Sequence, residues 1–293
     1  MTRTGYAACL ALAAIGGVAA APASAQEGVA PQPRQDPLWE LRIGGTGLYG
    51  PVYPGSSQNK LNGVGAPLFI YRGDRIRFGE YGVARAIAAE NSKFEFDVSL
   101  DAAYAAQDAK ARTGMPDLDY LFQIGPQVVY HIADTGWTAN GRREITAFLP
   151  VRGVAASDFK SIEHVGWLAE PAIMYRRIYP GDLRTSWNAK LFVSLADEGL
   201  MDYWYGVDPQ YATAARPAYN AKGGYLSTSL NVSWTRELTH DFQIYITYQG
   251  RLLSGSANER SPLLEKDFTN AVSLSFVWKV LKSKQPARNT SMY

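Results

Sequence analysis

Between Leu118 and Ile132 every even-numbered position is apolar (Leu118, Tyr120, Phe122, Ile124, Pro126, Val128, Tyr130, Ile132), while the odd positions carry Asp119, Gln123, Gln127 and His131. Successive side chains of a β-strand point to opposite faces, so this segment separates a greasy environment from a wet one. It is also long enough to cross a bilayer. The alternation returns at Phe94, Phe96, Val98, Leu100, Ala102 and Tyr104, whose neighbours include Glu95, Asp97 and Asp101. It recurs along Leu183–Leu195, Leu226–Trp234 and Val272–Trp278. The pattern predicts strands at about 38–49, 63–72, 75–79, 82–90, 93–106, 118–132, 142–153, 162–178, 183–196, 223–237, 241–253 and 268–280, with no helical period between them. The third and fourth read either as two short strands or as one strand with a bulge, and the choice changes the count.

The connections sort by parity. Arg72-Gly73-Asp74, Glu90-Asn91-Ser92, Pro180-Gly181-Asp182 and Leu238–His240 are tight, with Ala133–Gly141 the longer exception. The intervening set contains four long connections, at Gly50–Asn62, Gln107–Asp117, Asp197–Lys222 and Ser254–Asp267. Short turns on one side and long loops on the other are the habit of bacterial membrane barrels, with the short turns in the periplasm. A secreted β-sandwich would also alternate, but its hairpin lengths need not sort in this way. The expected fold is therefore all-β: a transmembrane, antiparallel, up-and-down β-barrel of about 12 strands spanning residues 38–280.

Composition agrees with that picture. Past the N-terminus no apolar run approaches the roughly 18 residues of a transmembrane helix, which leaves a closed sheet as the spanning option. The chain carries 18 Tyr and 7 Trp, as interfacial aromatic girdles require. Residues 1–25 read as a secretory signal peptide: Arg3, an apolar stretch from Ala7 to Ala21, and Ala23-Ser24-Ala25 before cleavage at Gln26. Cleavage removes Cys9, which lies at the start of the apolar run rather than after it, so the lipoprotein reading fails. The mature chain then has neither disulfide nor thiolate chemistry, and it is close to neutral, so nothing in it asks for nucleic acid. Residues 26–37, with Pro31, Pro33 and Pro37, form an extended periplasmic leader, and 281–293 form a basic polar tail carrying Lys282, Lys284 and Arg288.

Candidate chemistry is sparse. His240 falls in a turn and His131 at the periplasmic end of a lumen face. His164 lies three positions after Ser161, a spacing that puts the two on opposite faces of a strand and denies them a direct hydrogen bond. Ser157-Asp158-Phe159-Lys160 spells S-x-x-K, but in a predicted loop rather than at a helix start. Gly44-Gly45-Thr46-Gly47 precedes no helix, so it is no phosphate cradle. The expectation is no enzyme, no cofactor and no metal. Polar lumen residues are the better carriers of function: Glu95, Asp97, Asp101 and Asp119 on one wall, and Arg184, Lys190 and Arg251, with Lys279, on the other. Such an arrangement either orients a small polar solute by a transverse field or merely pairs and hydrates the interior. Tyr203, Trp204, Tyr205 and Tyr211 populate the longest outer loop, where they offer a contact surface, a plug folded inward, or packing on the rim.

Four motifs carry a resemblance. Pro51-Val52-Tyr53-Pro54-Gly55-Ser56, then Pro67-Leu68 with Tyr71-Arg72-Gly73-Asp74-Arg75, then Tyr203-Trp204-Tyr205-Gly206-Val207 with Tyr211, and finally Ser261-Pro262-Leu263 follow one another in order. In this the chain resembles the MipA/OmpV family over about Trp39–Trp278. The resemblance implies a Gram-negative outer-membrane protein, exported through the periplasm. It also implies a role as a scaffold that joins a lytic transglycosylase, MltA, to a peptidoglycan synthase; other members are linked to osmotic response, adhesion or uptake. Implied partners are outer-membrane lipid and the lytic transglycosylase, peptidoglycan synthase or peptidoglycan itself, and no catalytic residues come with the family. A narrow channel for small polar solutes is the alternative, and a lipid hydrolase the more distant one. Relatives usually end at the aromatic residue of the last strand, whereas here Trp278 is followed by the tail, so either Trp278 or Tyr293 serves as the assembly signal.

Overall fold

A computed structural model describes residues 36–72, 76–78, 84–86 and 93–287. Its strands are β1 (Trp39–Pro51), β2 (Asn59–Arg72), β3 (Ile76–Phe78), β4 (Ala84–Ala86), β5 (Phe94–Ala103), β6 (Tyr120–Asp134) and β7 (Arg142–Ser157). They continue with β8 (Ile162–Ala169), β9 (Ala172–Tyr179), β10 (Thr185–Ala196), β11 (Gly224–Thr239), β12 (Phe242–Leu252) and β13 (Phe268–Lys282), with one short helix, α1 (Glu198–Tyr205), between β10 and β11.

Each strand runs antiparallel to its neighbours, and the sheet closes where β13 pairs with β1, from Glu40 opposite Lys282 to Tyr49 opposite Val272. The thirteen strands form twelve staves, because β8 and β9 lie end to end between β7 and β10. One strand was expected at 162–178. The break comes at Glu170-Pro171, where proline has no N–H to give the ladder. Ile76–Phe78 and Ala84–Ala86 pair as two separate strands, which settles the count against the single bulged one. They are shorter than the expected 75–79 and 82–90, of which residues 75, 79, 82–83 and 87–90 lie outside the described set. The signal peptide, leader residues 26–35 and Tyr293 lie outside it as well.

The two faces of the wall differ as the alternation demands. On β6, Ile124 is 59% exposed while its neighbour Gln123 is 8% exposed. Phe94, Phe96 and Leu100 of β5, Trp187 and Leu191 of β10, and Leu274, Phe276 and Trp278 of β13 all stand outward and exposed, whereas Glu95, Asp97 and Ser99 turn inward and are buried. A water-soluble fold would have inverted this arrangement. A transmembrane barrel needs it, since lipid covers the apolar belt and the backbone satisfies itself round the ring.

The ends differ too. The first and last described segments meet at one end, where Ser283 and Ala287 donate their amides to the Trp39 and Asp36 carbonyls and Leu38 donates to Gln285. The last strand thus runs past Trp278 to Lys282, and the first part of the tail continues its pairing. Here the seam is fastened by Glu40, fully buried, with Arg72 Nη1 and Lys279 Nζ each at 3.3 Å and Arg42 also paired to it. At the opposite end the long connections fold together over the barrel mouth, and the largest apolar cluster of the molecule lies there.

Candidate functional site

The cap over the mouth is built on α1, a helix that the strand pattern did not anticipate within the long loop. Asp197 caps it by accepting from the Leu200 amide at 3.0 Å. Leu200, Met201, Trp204 and Tyr205 then fall on one buried face. The signal was present in the sequence: an aspartate cap followed by apolar residues at the spacing of a helix face. The helix N-terminus presses on β8 at Gly166, where φ is +147° and a Cβ would meet the Leu200 nitrogen at 2.5 Å. Only glycine suits both that backbone and that approach.

Hydrogen bonds tie the loops into a ring. Tyr53 Oη donates to the Leu263 carbonyl at 2.9 Å, Tyr205 Oη to the Pro54 carbonyl at 2.8 Å, and Ser261 Oγ to the Tyr205 carbonyl at 2.8 Å. Three of the four motifs, distant in the chain, therefore converge on one structure. The Arg112 guanidinium joins it through the Trp204 carbonyl at 3.2 Å, and Tyr203 Oη accepts from the Asp119 amide at 2.7 Å. Burial, helped by the Glu265 carboxylate, pushes the Tyr53 hydroxyl up to about 12; burial likewise pushes Tyr203 up to about 12 and raises Tyr205 further. These phenols stay neutral at any physiological pH, with Tyr53 and Tyr205 as donors and Tyr203 as acceptor. Trp204 and Tyr205 are buried in the cap, Tyr203 is half-buried, and Tyr211 lies half-buried in the following turn, its carbonyl accepting from Arg216 at 2.9 Å.

Below the cap a polar network runs along one wall of the lumen. Arg152 of β7 is buried, bonds to Glu170 at the β8–β9 break, and donates to Ser99 Oγ at 3.2 Å. Glu170 also accepts from Ser194 Oγ at 2.7 Å, so β5, β7, β10 and the broken stave are linked at one level. Neither Arg152 nor Glu170 stood among the expected lumen residues. Arg152 was legible as the charge that follows outward Leu149 and Val151 in the alternation, but Glu170 depends on a break that periodicity does not show.

The expected residues distribute over the whole height of the barrel. Asp101, Asp119 and Arg251 line a chamber of about 260 Å³ beneath the cap. Arg184 lines a second chamber of about 370 Å³ toward the terminal end, with Arg42, Arg176 and Lys279 facing Glu144, Glu237 and Asp241. Its guanidinium lies 5.4 Å from the Trp137 ring centre. Lys190 sits between Phe148 and Phe192, with its Nζ 5.7 and 5.3 Å from the ring centres. Glu95 meets His131 Nε2 at 3.2 Å, and Asp97 accepts from the Val98 amide at 2.7 Å. On the acidic wall Glu95 has His131 and Asp101 has Arg152 within 4 Å, and Arg251, Lys190 and Arg184 stand at different heights of the facing side.

The alternative chemistries lose their geometry. Ser161 Oγ donates to Asp158 at 3.1 Å, and His164 stacks edge-on against Trp167 with 5.6 Å between ring centres. Ser157, expected in a loop, is the last residue of β7, where its Oγ donates to the Ser161 carbonyl at 2.7 Å, and it is not on a helix. The Ser161 and Lys160 amides hold the Asp158 carboxyl below its usual range, which marks an ordinary capped turn.

A family model described as MltA-interacting protein MipA matches residues 43–280. Among solved structures, an OmpF from Salmonella typhi in complex with daunomycin is similar at 9% identity, covering 82% of this chain and 97% of that one, with a TM-score of 0.29. No curated protein matches the chain.

Proposed function

This chain belongs to the MltA-interacting protein MipA family, and from that premise we propose that it is a non-enzymatic outer-membrane barrel that acts by holding partners rather than by conducting solutes. The observation that carries the reading is the closed mouth. The cap fills it with fully buried Leu200, Met201, Tyr205, Leu253 and Leu263, and below it the Arg152–Glu170 pair ties neighbouring staves of the wall together. A barrel of about twelve staves has room for a narrow channel, and here the cap is packed over that room.

In this reading the capped end faces outside and the paired termini stand in the periplasm, after removal of the signal peptide. The Asp36–Trp39 and Ser283–Ala287 pairing then presents a short two-stranded extension toward the cell wall. The family name points to a lytic transglycosylase of the MltA kind as partner, and a peptidoglycan synthase is the second member of such an assembly.

Two measurements test this. Purified protein in a planar bilayer is expected to stay silent, and discrete conductance would return the channel reading. Immobilised protein is expected to retain a murein transglycosylase, with retention lost when residues 26–37 and 283–293 are removed; equal recovery by both forms would remove the periplasmic extension from the interface.

A further inference from the structure

The chamber beneath the cap has a chemistry that neither scaffolding nor wall-building uses. Asp101 of β5 and Gln123 of β6 are register partners on the inner face, so their side chains stand side by side above the Arg152–Glu170 bridge. Gln123 is buried, and its Oε1 has no hydrogen-bond partner among the described residues. A buried amide oxygen left without a donor costs about 1–3 kcal/mol, so a donor is wanted at this point. Asp101 accepts from the Ala102 amide at 2.7 Å through one oxygen; the other lies 3.8 Å from Arg152, beyond hydrogen-bond reach. Arg152 gives its hydrogen bonds to Glu170 and Ser99 instead.

The remaining lining extends the same bias. Tyr104 Oη, at the chamber wall, has no partner among the described residues. Asp119 lies nearer the mouth, its carboxyl raised by burial and by Asp158, Asp117 and Glu163, which together make an acidic rim. Arg251 is the cation on the facing wall, where its Nε lies 3.4 Å from Ser229 Oγ. Leu121, Leu168, Leu226 and Trp204 add apolar lining to the same chamber. At about 260 Å³ the space falls just below the usual range for drug-sized ligands.

We propose that this chamber binds a small organic cation, with a primary ammonium held between Asp101 and Gln123 Oε1 and an apolar body against Leu121, Leu168 and Trp204. An ammonium is all donor, which suits a pair of neighbouring acceptors. A carboxylate or phosphate would face Asp101 and the acidic rim. A neutral alcohol supplies one donor and forgoes the charge.

The test uses the mature protein in detergent micelles, titrated calorimetrically with benzylammonium, benzyl alcohol and benzoate. Saturable one-site binding is expected for benzylammonium, weaker binding for the alcohol and none for benzoate. Asp101→Asn and Gln123→Leu should each weaken it about tenfold or more, the worth of a charge-assisted hydrogen bond. Gln123→Glu should tighten it, which keeps the test decisive if Asp101→Asn fails to assemble. Heat-modified gel mobility checks that each variant is a closed barrel. No saturable binding, equal affinity for amine and alcohol, or unchanged affinity in Gln123→Leu and Gln123→Glu would each overturn the assignment.

Discussion

Replacing Glu170 by alanine tests how firmly the buried Arg152–Glu170 pair ties β7 to the broken stave. Arg152 would keep Ser99 Oγ at 3.2 Å and would have Asp101 at 3.8 Å, but it would lose its bonded carboxylate inside a buried setting. Removing one partner of a buried pair typically costs about 3–5 kcal/mol. Asp101 recovers part of that, while Ser194 Oγ loses its acceptor at 2.7 Å. A net loss of about 3 kcal/mol is expected for Glu170→Ala. Equilibrium urea unfolding in micelles, followed by tryptophan fluorescence, measures it. The double variant Arg152→Met with Glu170→Leu removes both charges and should return to within about 1 kcal/mol of the wild type, since apolar replacement of a whole buried pair is often neutral or better. A single variant within about 0.5 kcal/mol of the wild type, or a double variant no better than the single, would refute the pair as a tie between the staves.

Three further outcomes follow from the same geometry. Tyr53 has a folded pKa of about 12 against about 10 when unfolded, so the unfolded chain sheds its proton first and stability falls as pH rises from about 10 to about 12, by roughly 2–3 kcal/mol; Tyr53→Phe should lose about 1 kcal/mol at pH 8 and abolish this residue's share of the alkaline slope, read from urea midpoints at pH 8 and 11.5. Gly125→Ala puts a Cβ against the Val151 carbonyl and 2.8 Å from the Arg152 Cα, both backbone atoms, and should cost at least about 1–3 kcal/mol in the same unfolding assay while perturbing the neighbouring bridge. Asp197→Ala removes the cap of α1 at a cost of about 1 kcal/mol and should loosen the mouth first, seen as faster amide exchange over Leu200–Tyr205 than in the strands.

The wall of the barrel was legible because a strand in lipid has few ways to be built. Phe122 and Ile124 must face outward and Gln123 inward, and a period of two in the sequence reports this directly. The interior was less legible. Knowing that Asp101 and Arg184 point inward says nothing of height, and height decides that one lines the chamber under the cap and the other the chamber at the far end. Arg152 and Glu170 meet because the eighth stave breaks at Pro171, a tertiary event that local pattern does not encode. The helix in the long loop went unseen for a different reason: eight residues carry too short a period to stand out beside strands of up to sixteen.

The division between wall and cap also explains where the family resemblance resides. A lipid-facing stave asks for apolar character at alternate positions, and Phe, Leu, Ile, Val, Tyr or Trp all satisfy it, so the strands tolerate many sequences. A loop over the mouth has no ladder to order it and must offset its conformational entropy with particular bonds. Tyr53 to Leu263, Tyr205 to Pro54 and Ser261 to Tyr205 are such bonds, and each requires one donor at one place. The motifs at Pro51–Ser56, Tyr203–Val207 and Ser261–Leu263 are the residues that make them. Three of the four recognisable motifs of this chain are therefore the sequence of its closure. The proposed functions lie on either side of that closure, at the chamber beneath it and at the opposite end, where Asp36–Trp39 pairs with Ser283–Ala287.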